Sequence, residues 1–431
     1  MALPVVAELF YTVMRPTRWL ASIYCAISLS AGGCSASDLH PGTTNAAGAG
    51  SVAGGGNFAG SATNAGNEAG AAGESPSAPS IAVVQVETVT TVQSSAGSFL
   101  SPTPEQLVPD YVERNPEGGS AASAAAEERA KIDLALLFRG TDSAFVDQEL
   151  DAQLVAANAA PSSTVDHYFP HVEQSPGLIS WPLSVSSVAA VDLDSSISPE
   201  WRGWQNYRGL GVRDRTRATD LSVAVATLDF EVSGLSSPLL LTVENGSLIV
   251  TNRSSHAIAR ALLIYSHPGG VGVTAIGTLN PGERTITILG PKEHPPETLL
   301  ALARTQLTEF FAASVDSELA SAMAAAKSIP FLETQGLRLI ALLDDELEPV
   351  AVSFSSQLAS QQRVIISHSE ILKPEEEARV LGVVTDQSID AEQALATLGR
   401  FTQAKLEFAE QSSDPSVSAK ATSLLGEVRA R

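Results

Sequence analysis

Cysteine is nearly missing from this chain of 431 residues: there are two, Cys25 and Cys34, both near the start. Everything beyond residue 34 lacks a thiol, which excludes disulfides, thiolate metal sites and cysteine nucleophiles there. Positive charge is scarce as well, with 26 Lys and Arg against 48 Asp and Glu, a net charge of −22. Such a polyanion is repelled by phosphate backbones, so no nucleic-acid partner is expected, and anionic lipid surfaces are disfavoured for the same reason. Aromatics make up only 5% of the chain, so any core must be filled by small aliphatic side chains. Apolar runs are short. The longest near the N-terminus, Trp19 to Leu29, is about half of the ~20 residues a membrane-spanning helix needs. Gly-x-Ser-x-Gly, His-Glu-x-x-His and phosphate-cradling glycine loops do not occur.

What is present begins with that run. Arg15 and Arg18 precede it, and the small residues Ser30-Ala31-Gly32-Gly33 follow it, the layout of a secretory signal peptide. Residues 1–13 carry Glu8 and no basic residue, so the natural start is expected at Met14. Because Cys34 directly follows the small residues, Leu29-Ser30-Ala31-Gly32-Gly33-Cys34 resembles the lipobox of bacterial lipoproteins. Ala31 stands where that family usually has leucine. Tyr24 before Cys25 is too bulky for such a cleavage site. The resemblance implies removal of residues 1–33, acylation of Cys34, and stable attachment to a membrane of the bacterial cell envelope. Removing Arg15, Arg18 and Glu8 takes away a net +1 and leaves −23. Ser35, in place of aspartate, resembles the outer-membrane sorting pattern. Residues 34–80 are rich in Gly, Ala, Asn and Ser and read as a disordered tether with a reach of ~35–40 Å.

Folded structure is expected from Ile81. The composition and punctuation predict an α+β fold, with a β-rich sandwich domain over 81–291 and a mixed, helix-rich part over 292–431. Strands are expected at 81–92, 134–138, 183–191 and 221–232. Helices are expected at 121–131 and 145–157. Leu239 to Glu244, Asn245-Gly246 and Leu248 to Thr251 carry the signature of a tight hairpin. Further strands follow at 261–265, 271–276 and 285–289. The order Val250-Thr251-Asn252-Arg253-Ser254-Ser255, an aliphatic run, then Gly277-Thr278-Leu279-Asn280-Pro281-Gly282-Glu283 resembles immunoglobulin-like modules of secreted bacterial proteins. That likeness implies an antiparallel sandwich acting as a spacer or binding unit. After Pro295-Pro296 the period changes to that of helices, at 297–313 and 316–326. Strands at 337–343, 350–354 and 363–367 and helices opening at Pro374, Asp390, Gln403 and Pro415 complete the chain. Gly336-Leu337-Arg338, Arg363-Val364-Ile365-Ile366 and Leu398-Gly399-Arg400-Phe401 resemble uncharacterised bacterial envelope proteins, a likeness that supplies no catalytic residues.

Four stretches carry chemistry-bearing residues. His167 and His171 can share a helix face with Asp166 or Glu173 as zinc ligands, but Pro170 between them favours a surface loop. Asp192-Leu193-Asp194-Ser195-Ser196 spaces oxygens as calcium loops do, yet lacks the required glycine and glutamate, and reads as a polar turn. Asp344-Asp345-Glu346-Leu347-Glu348 bunches carboxylates and reads as a solvated hairpin turn rather than an acid–base pair. No metal or other cofactor is therefore expected. Trp201, Arg202, Trp204, Tyr207 and Arg208, leading into Arg213, Arg215 and Arg217, form the one dense basic and aromatic patch. Its rings suit stacking and its guanidinium groups suit carboxylate or phosphate, making it the candidate contact for an envelope protein or glycan. The competing reading puts the tryptophans in the core and pairs the arginines internally. The functional expectation is a non-catalytic, membrane-tethered binding or structural module. The alternative is a periplasmic hydrolase whose site is assembled from dispersed residues.

Overall fold

The computed structural model describes residues 81–102, 113–114, 128–140, 148–156, 164–175, 178–187, 203–204, 207, 209–216, 223–235, 237–288, 295–344 and 350–430. All of them belong to one compact unit, residues 74–431. The fold is α+β with several antiparallel sheets.

The strands are β1 (Ile81–Gln93), β2 (Phe99–Leu100), β3 (Glu113–Arg114), β4 (Arg129–Gly140), β5 (Gln148–Ala156) and β6 (Thr164–Phe169). Next come β7 (Glu173–Ser175), β8 (Leu178–Ser186), β9 (Gly211–Asp214), β10 (Ala226–Ser233), β11 (Leu239–Glu244) and β12 (Ser247–Asn252). The last are β13 (Arg260–His267), β14 (Gly270–Ile276), β15 (Gly282–Thr287), β16 (Gly336–Leu343), β17 (Val350–Phe354) and β18 (Ser360–Ile371). Helices are α1 (Pro296–Phe311), α2 (Ser317–Ser328), α3 (Pro374–Thr385), α4 (Ala391–Leu398), α5 (Thr402–Glu410) and α6 (Pro415–Ala430). A π-helical turn, Ile329–Glu333, continues α2.

A ten-stranded sheet in the order β14-β13-β16-β18-β1-β4-β10-β6-β3 organises the unit, with β2 attached to β1. At its centre β1 pairs in parallel with β18 and antiparallel with β4. β1 is rich in Val and Thr, which favour the pleated conformation, and nearly every residue in it is buried. A strand covered on both faces needs no polar alternation. On one face Val84, Val86, Ile340, Ile366 and Leu137 pack under α1 and α2, through Leu307, Phe311, Leu319 and Met323. On the other face Val83, Leu134, Leu136 and Phe138 meet Leu150, Leu154, Trp181 and Leu183 of a five-stranded sheet. That sheet runs β17-β5-β8-β7, with β9 beside β8. A three-stranded sheet, β11-β12-β15, covers the remainder through Leu239, Leu241, Leu248 and Val250. The four C-terminal helices have their own core, built on Val380, Leu395, Leu406 and Leu424.

The Asn-Gly hairpin forms as its chemistry requires: Asn245 and Gly246 have φ of 50° and 75°, the pair of positive values that a two-residue turn between twisted strands demands. Four expectations are corrected. Residues 145–157 form no helix where described, because Leu150, Ala152 and Leu154 alternate inward as β5 pairs with β8 and β17. Residues 129–131 are strand rather than helix, held by register with β1 and β10. The boundary at 291 does not separate two domains, since β16 and β18 complete the sheet that β1, β4, β10 and β13 begin, and Leu337 and Leu339 fill the core under β11 and β12. The strands flanking Asp344–Glu348 make no hairpin, because β16 pairs with β13 and β18 while β17 pairs with β5. Residues 345–349 themselves lie outside the described residues, as do the signal, Cys34, the tether and the 192–200 stretch.

Candidate functional site

The Trp201–Arg217 stretch is divided rather than displayed. Trp204 and Tyr207 are 7% and 2% exposed, inside the core formed with α1 and α2. Gly203 makes that possible: a Cβ there would lie 2.1 Å from the Ala326 backbone nitrogen of α2, so only glycine lets the two backbones approach. Arg139 Nε donates to the Tyr207 hydroxyl, its guanidinium lies 4.8 Å from the ring centroid, and its Nη1 pairs with Asp316 at 2.6 Å. Burial pushes the Tyr207 hydroxyl up to about 12. The ring is therefore a structural ligand of Arg139 and no stacking platform. Arg213 is half-buried on β9, and exposed Arg215 is matched to Asp151 at 2.6 Å and Glu149 at 3.5 Å. Trp201, Arg202, Arg208 and Arg217 lie outside the described residues. Two of the three aromatic candidates are thus core, and one arginine is neutralised by the protein's own carboxylates.

His167 and His171 share no helix. His167 belongs to β6, in register with Asp229 of β10, and His171 follows the cis Phe169-Pro170 bond. Among the described residues no three His, Cys, Asp or Glu side chains gather as metal ligands.

Sequence reasoning missed a row of charged and hydroxyl side chains across the helix-covered face of the central sheet. It begins at Arg338 of β16, which is fully buried. Its guanidinium donates to the carbonyls of Pro330 (2.7 Å), Phe331 (2.8 Å) and Thr334 (2.8 Å) and to Glu370 Oε1 (3.1 Å), and its Nε lies 3.0 Å from Glu370 Oε2. A Cβ at Gly336, which has φ of 150°, would lie 2.1 Å from Glu370 Oε1. Burial alone would raise the Glu370 carboxyl, but Arg338 and His368 outweigh it and hold it down at about 2. His368 Nε2 is 3.3 Å from Glu370 Oε2, Nδ1 is 3.3 Å from the Thr90 hydroxyl, and the ring packs 4.9 Å from Phe331. Burial holds His368 neutral, lowering it from 6.5 to about 4. Arg338, His368 and Arg400, whose Nη1 donates to the Pro330 carbonyl at 3.0 Å, therefore fasten the π-helical turn to the sheet.

The row continues on β4 and β10. Asp133 stands in register between Thr88 of β1 and Asp229 of β10. Lys131 Nζ lies 3.7 Å from Asp229 Oδ2, and Lys327 of α2 lies 3.9 Å from Asp133 Oδ2. Burial and the facing Asp229 charge raise Asp133 from 3.8 to about 7, against the pull of the two lysines. Asp133 therefore stays partly protonated near neutrality, with Asp229 directly opposite it. Chemically this is a carboxyl that titrates near neutrality, with the Lys327 ammonium 3.9 Å from it. In the sequence the signal is only the alternation Arg129, Lys131, Asp133 and Asp229, Glu231, which looks like two solvated strand faces.

No family model matches the chain, and no curated protein matches it. Solved structures similar to it include the yeast delta-COP-I mu-homology domain complexed with a Dsl1 WxWxV peptide, at 11% identity and a TM-score of 0.29. The yeast delta-COP-I mu-homology domain in a second structure is 12% identical with a TM-score of 0.27. Both alignments cover 69% of this chain and 100% of the other. Likeness at these scores carries no argument about function.

Proposed function

We propose that this chain is a bacterial envelope lipoprotein, anchored through Cys34, whose folded part binds an extended segment of another envelope protein without catalysing a reaction. The observation that carries the binding reading is β15. It closes one side of the three-stranded sheet, pairs only with β12 among the described strands, and has five of its six residues exposed. A strand with one free row of backbone groups accepts an added strand, with affinity from main-chain hydrogen bonds and selectivity from alternate side chains. A peptide suits this edge better than a glycan, because Trp204 and Tyr207, the rings that would stack on sugars, are core. The likeness of 238–289 to immunoglobulin-like modules belongs to the same reading and draws support from Leu239, Leu241, Leu248 and Val250, which pack against Ala261, Leu263, Leu337 and Leu339 of the ten-stranded sheet.

Two measurements test the proposal in parts. Photo-crosslinking residues placed at Glu283 and Thr285 in intact cells should each yield a covalent adduct with an envelope protein. Adducts from neither site, with the protein present at normal level, would refute strand addition. Separately, Cys34→Ser should leave an unprocessed or released protein that takes up no labelled palmitate. Unchanged membrane retention and labelling would refute the anchor.

A further inference from the structure

We propose that the segment received along β15 reads, from its N-terminus, aliphatic, any residue, acidic, basic, so that its acid stands beside Arg284 and its base beside Glu283. This rests on the strand-addition reading and names the chemistry of the partner for that edge.

The three-stranded sheet has two edges, and the protein closes one of them. Along β11 the Gln93 side chain of β1 donates to the Leu239 carbonyl at 3.1 Å and accepts from the Leu241 amide at 2.9 Å. Further along, the Val243 amide donates to the Ser95 carbonyl at 2.8 Å. With those groups engaged, β11 cannot take another strand. β15 pairs only with β12 among the described strands, and Glu283, Arg284, Thr285 and Thr287 are exposed. An added strand therefore has one side to join.

Register with β12 sorts the side chains of β15 by face. Arg284 and Ile286 stand opposite Val250 and Leu248, on the core side. Glu283 and Thr285 stand opposite Thr251 and Ile249, on the outer side. Paired strands keep direct neighbours on one face, so a residue beside Arg284 meets the guanidinium and one beside Glu283 meets the carboxylate. The β12 residues facing these two charges are uncharged. Arg284 Nη1 donates to the Thr278 carbonyl at 3.2 Å, a contact that leaves the positive charge unneutralised. Beside buried Ile286 an aliphatic side chain extends the core. In antiparallel order, the order of both pairings in this sheet, the partners of Ile286, Thr285, Arg284 and Glu283 follow one another from the N-terminal side.

Charges on an open edge also reject. A segment with like charges at these positions is repelled, which keeps the edge from pairing indiscriminately. A second copy of this chain is among the rejected partners. Antiparallel pairing of β15 with itself about a two-fold axis sets odd residues opposite odd and even opposite even. Glu283 would then face Glu283, Thr285 or Thr287, and Arg284 would face Gly282, Arg284 or Ile286. Neither charge meets its opposite.

Two fluorescent peptides, Val-Ile-Thr-Glu-Lys-Val and Val-Ile-Thr-Lys-Glu-Val, test this when titrated onto the full chain and read by anisotropy. The first should bind on the order of tenfold more tightly, because the second replaces two favourable cross-strand pairs by two repulsive ones. The ratio should shrink in high salt, since both charges are exposed. The double variant Glu283→Lys, Arg284→Glu should reverse the preference. Two versions of the first peptide, N-methylated at odd or at even residues, report on backbone pairing, and one of them should lose binding. Equal affinity for the two peptides, or a preference that the double variant leaves unchanged, overturns the charge assignment while strand addition stands. Binding of neither peptide, or undiminished binding of both N-methylated versions, overturns strand addition and the assignment with it.

Discussion

Replacing Asp133 by asparagine should make the protein more stable at pH 8 and leave it almost unchanged at pH 4. The folded carboxyl is held near 7 against an ordinary 3.8, so folding takes up a proton between those values. A raised carboxyl contributes its stability fully below 3.8 and loses it as pH rises through 7. At ~1.4 kcal/mol per pH unit, the rise from 3.8 to about 7 corresponds to about 4 kcal/mol of stability lost by pH 8. A quarter of the Asp133 side chain meets solvent, so this figure is a ceiling. Asparagine keeps the shape opposite Asp229 and removes the titration. The assay is urea unfolding followed by far-UV circular dichroism at pH 4, 5, 6, 7 and 8 for both proteins. The difference in unfolding free energy should be close to zero at pH 4 and grow steadily to pH 8. Parallel curves, or a variant that is less stable at pH 8, would show that Asp133 is ionised in the folded state and would refute the reasoning.

Three further outcomes follow from other parts of the fold. His368 is held at about 4 against an ordinary 6.5, so its contribution is present above pH 6.5 and lost as pH falls toward 4; His368→Gln should flatten urea-midpoint dependence in that window, where the wild type loses up to about 3 kcal/mol. Arg338→Met should destabilise by about 3–5 kcal/mol in denaturant unfolding, because it leaves Glu370 buried without its guanidinium and strips the Phe331 and Thr334 carbonyls of this donor. Gly203→Ala should cost about 1–3 kcal/mol in the same assay, since its Cβ meets α2 backbone rather than a side chain that can move.

Where local chemistry dominates, the residues announced their structure. Asn245-Gly246 can hardly adopt anything but the turn it forms, and Pro374 followed by three glutamates opens α3 at its positive end. The error over β5 has the opposite cause. Gln148–Ala156 is made of good helix formers, and its helical propensity is a few tenths of a kcal/mol per residue. Pairing on both sides with β8 and β17, and burial of Leu150, Ala152 and Leu154, outweigh it. The Trp201–Arg217 patch shows a similar limit: composition reveals rings and cations, but only packing against Ala326 turns Trp204 and Tyr207 inward.

Read without coordinates, the chain declares its acidity, its lack of thiols beyond Cys34, its signal-like start and its mixture of strands and helices, because each of these is a property of residue types and short spacings. Three-dimensional arrangement was needed for everything that joins distant segments. β1 pairs with β18 across the length of the folded unit, and that one pairing dissolves the boundary at 291. It also sets Thr90 beside His368, while the neighbouring pairings set Thr88 beside Asp133, Asp133 beside Asp229 and Arg338 beside Glu370. Register between strands hundreds of residues apart depends on which faces they bury together, and no local pattern carries that information.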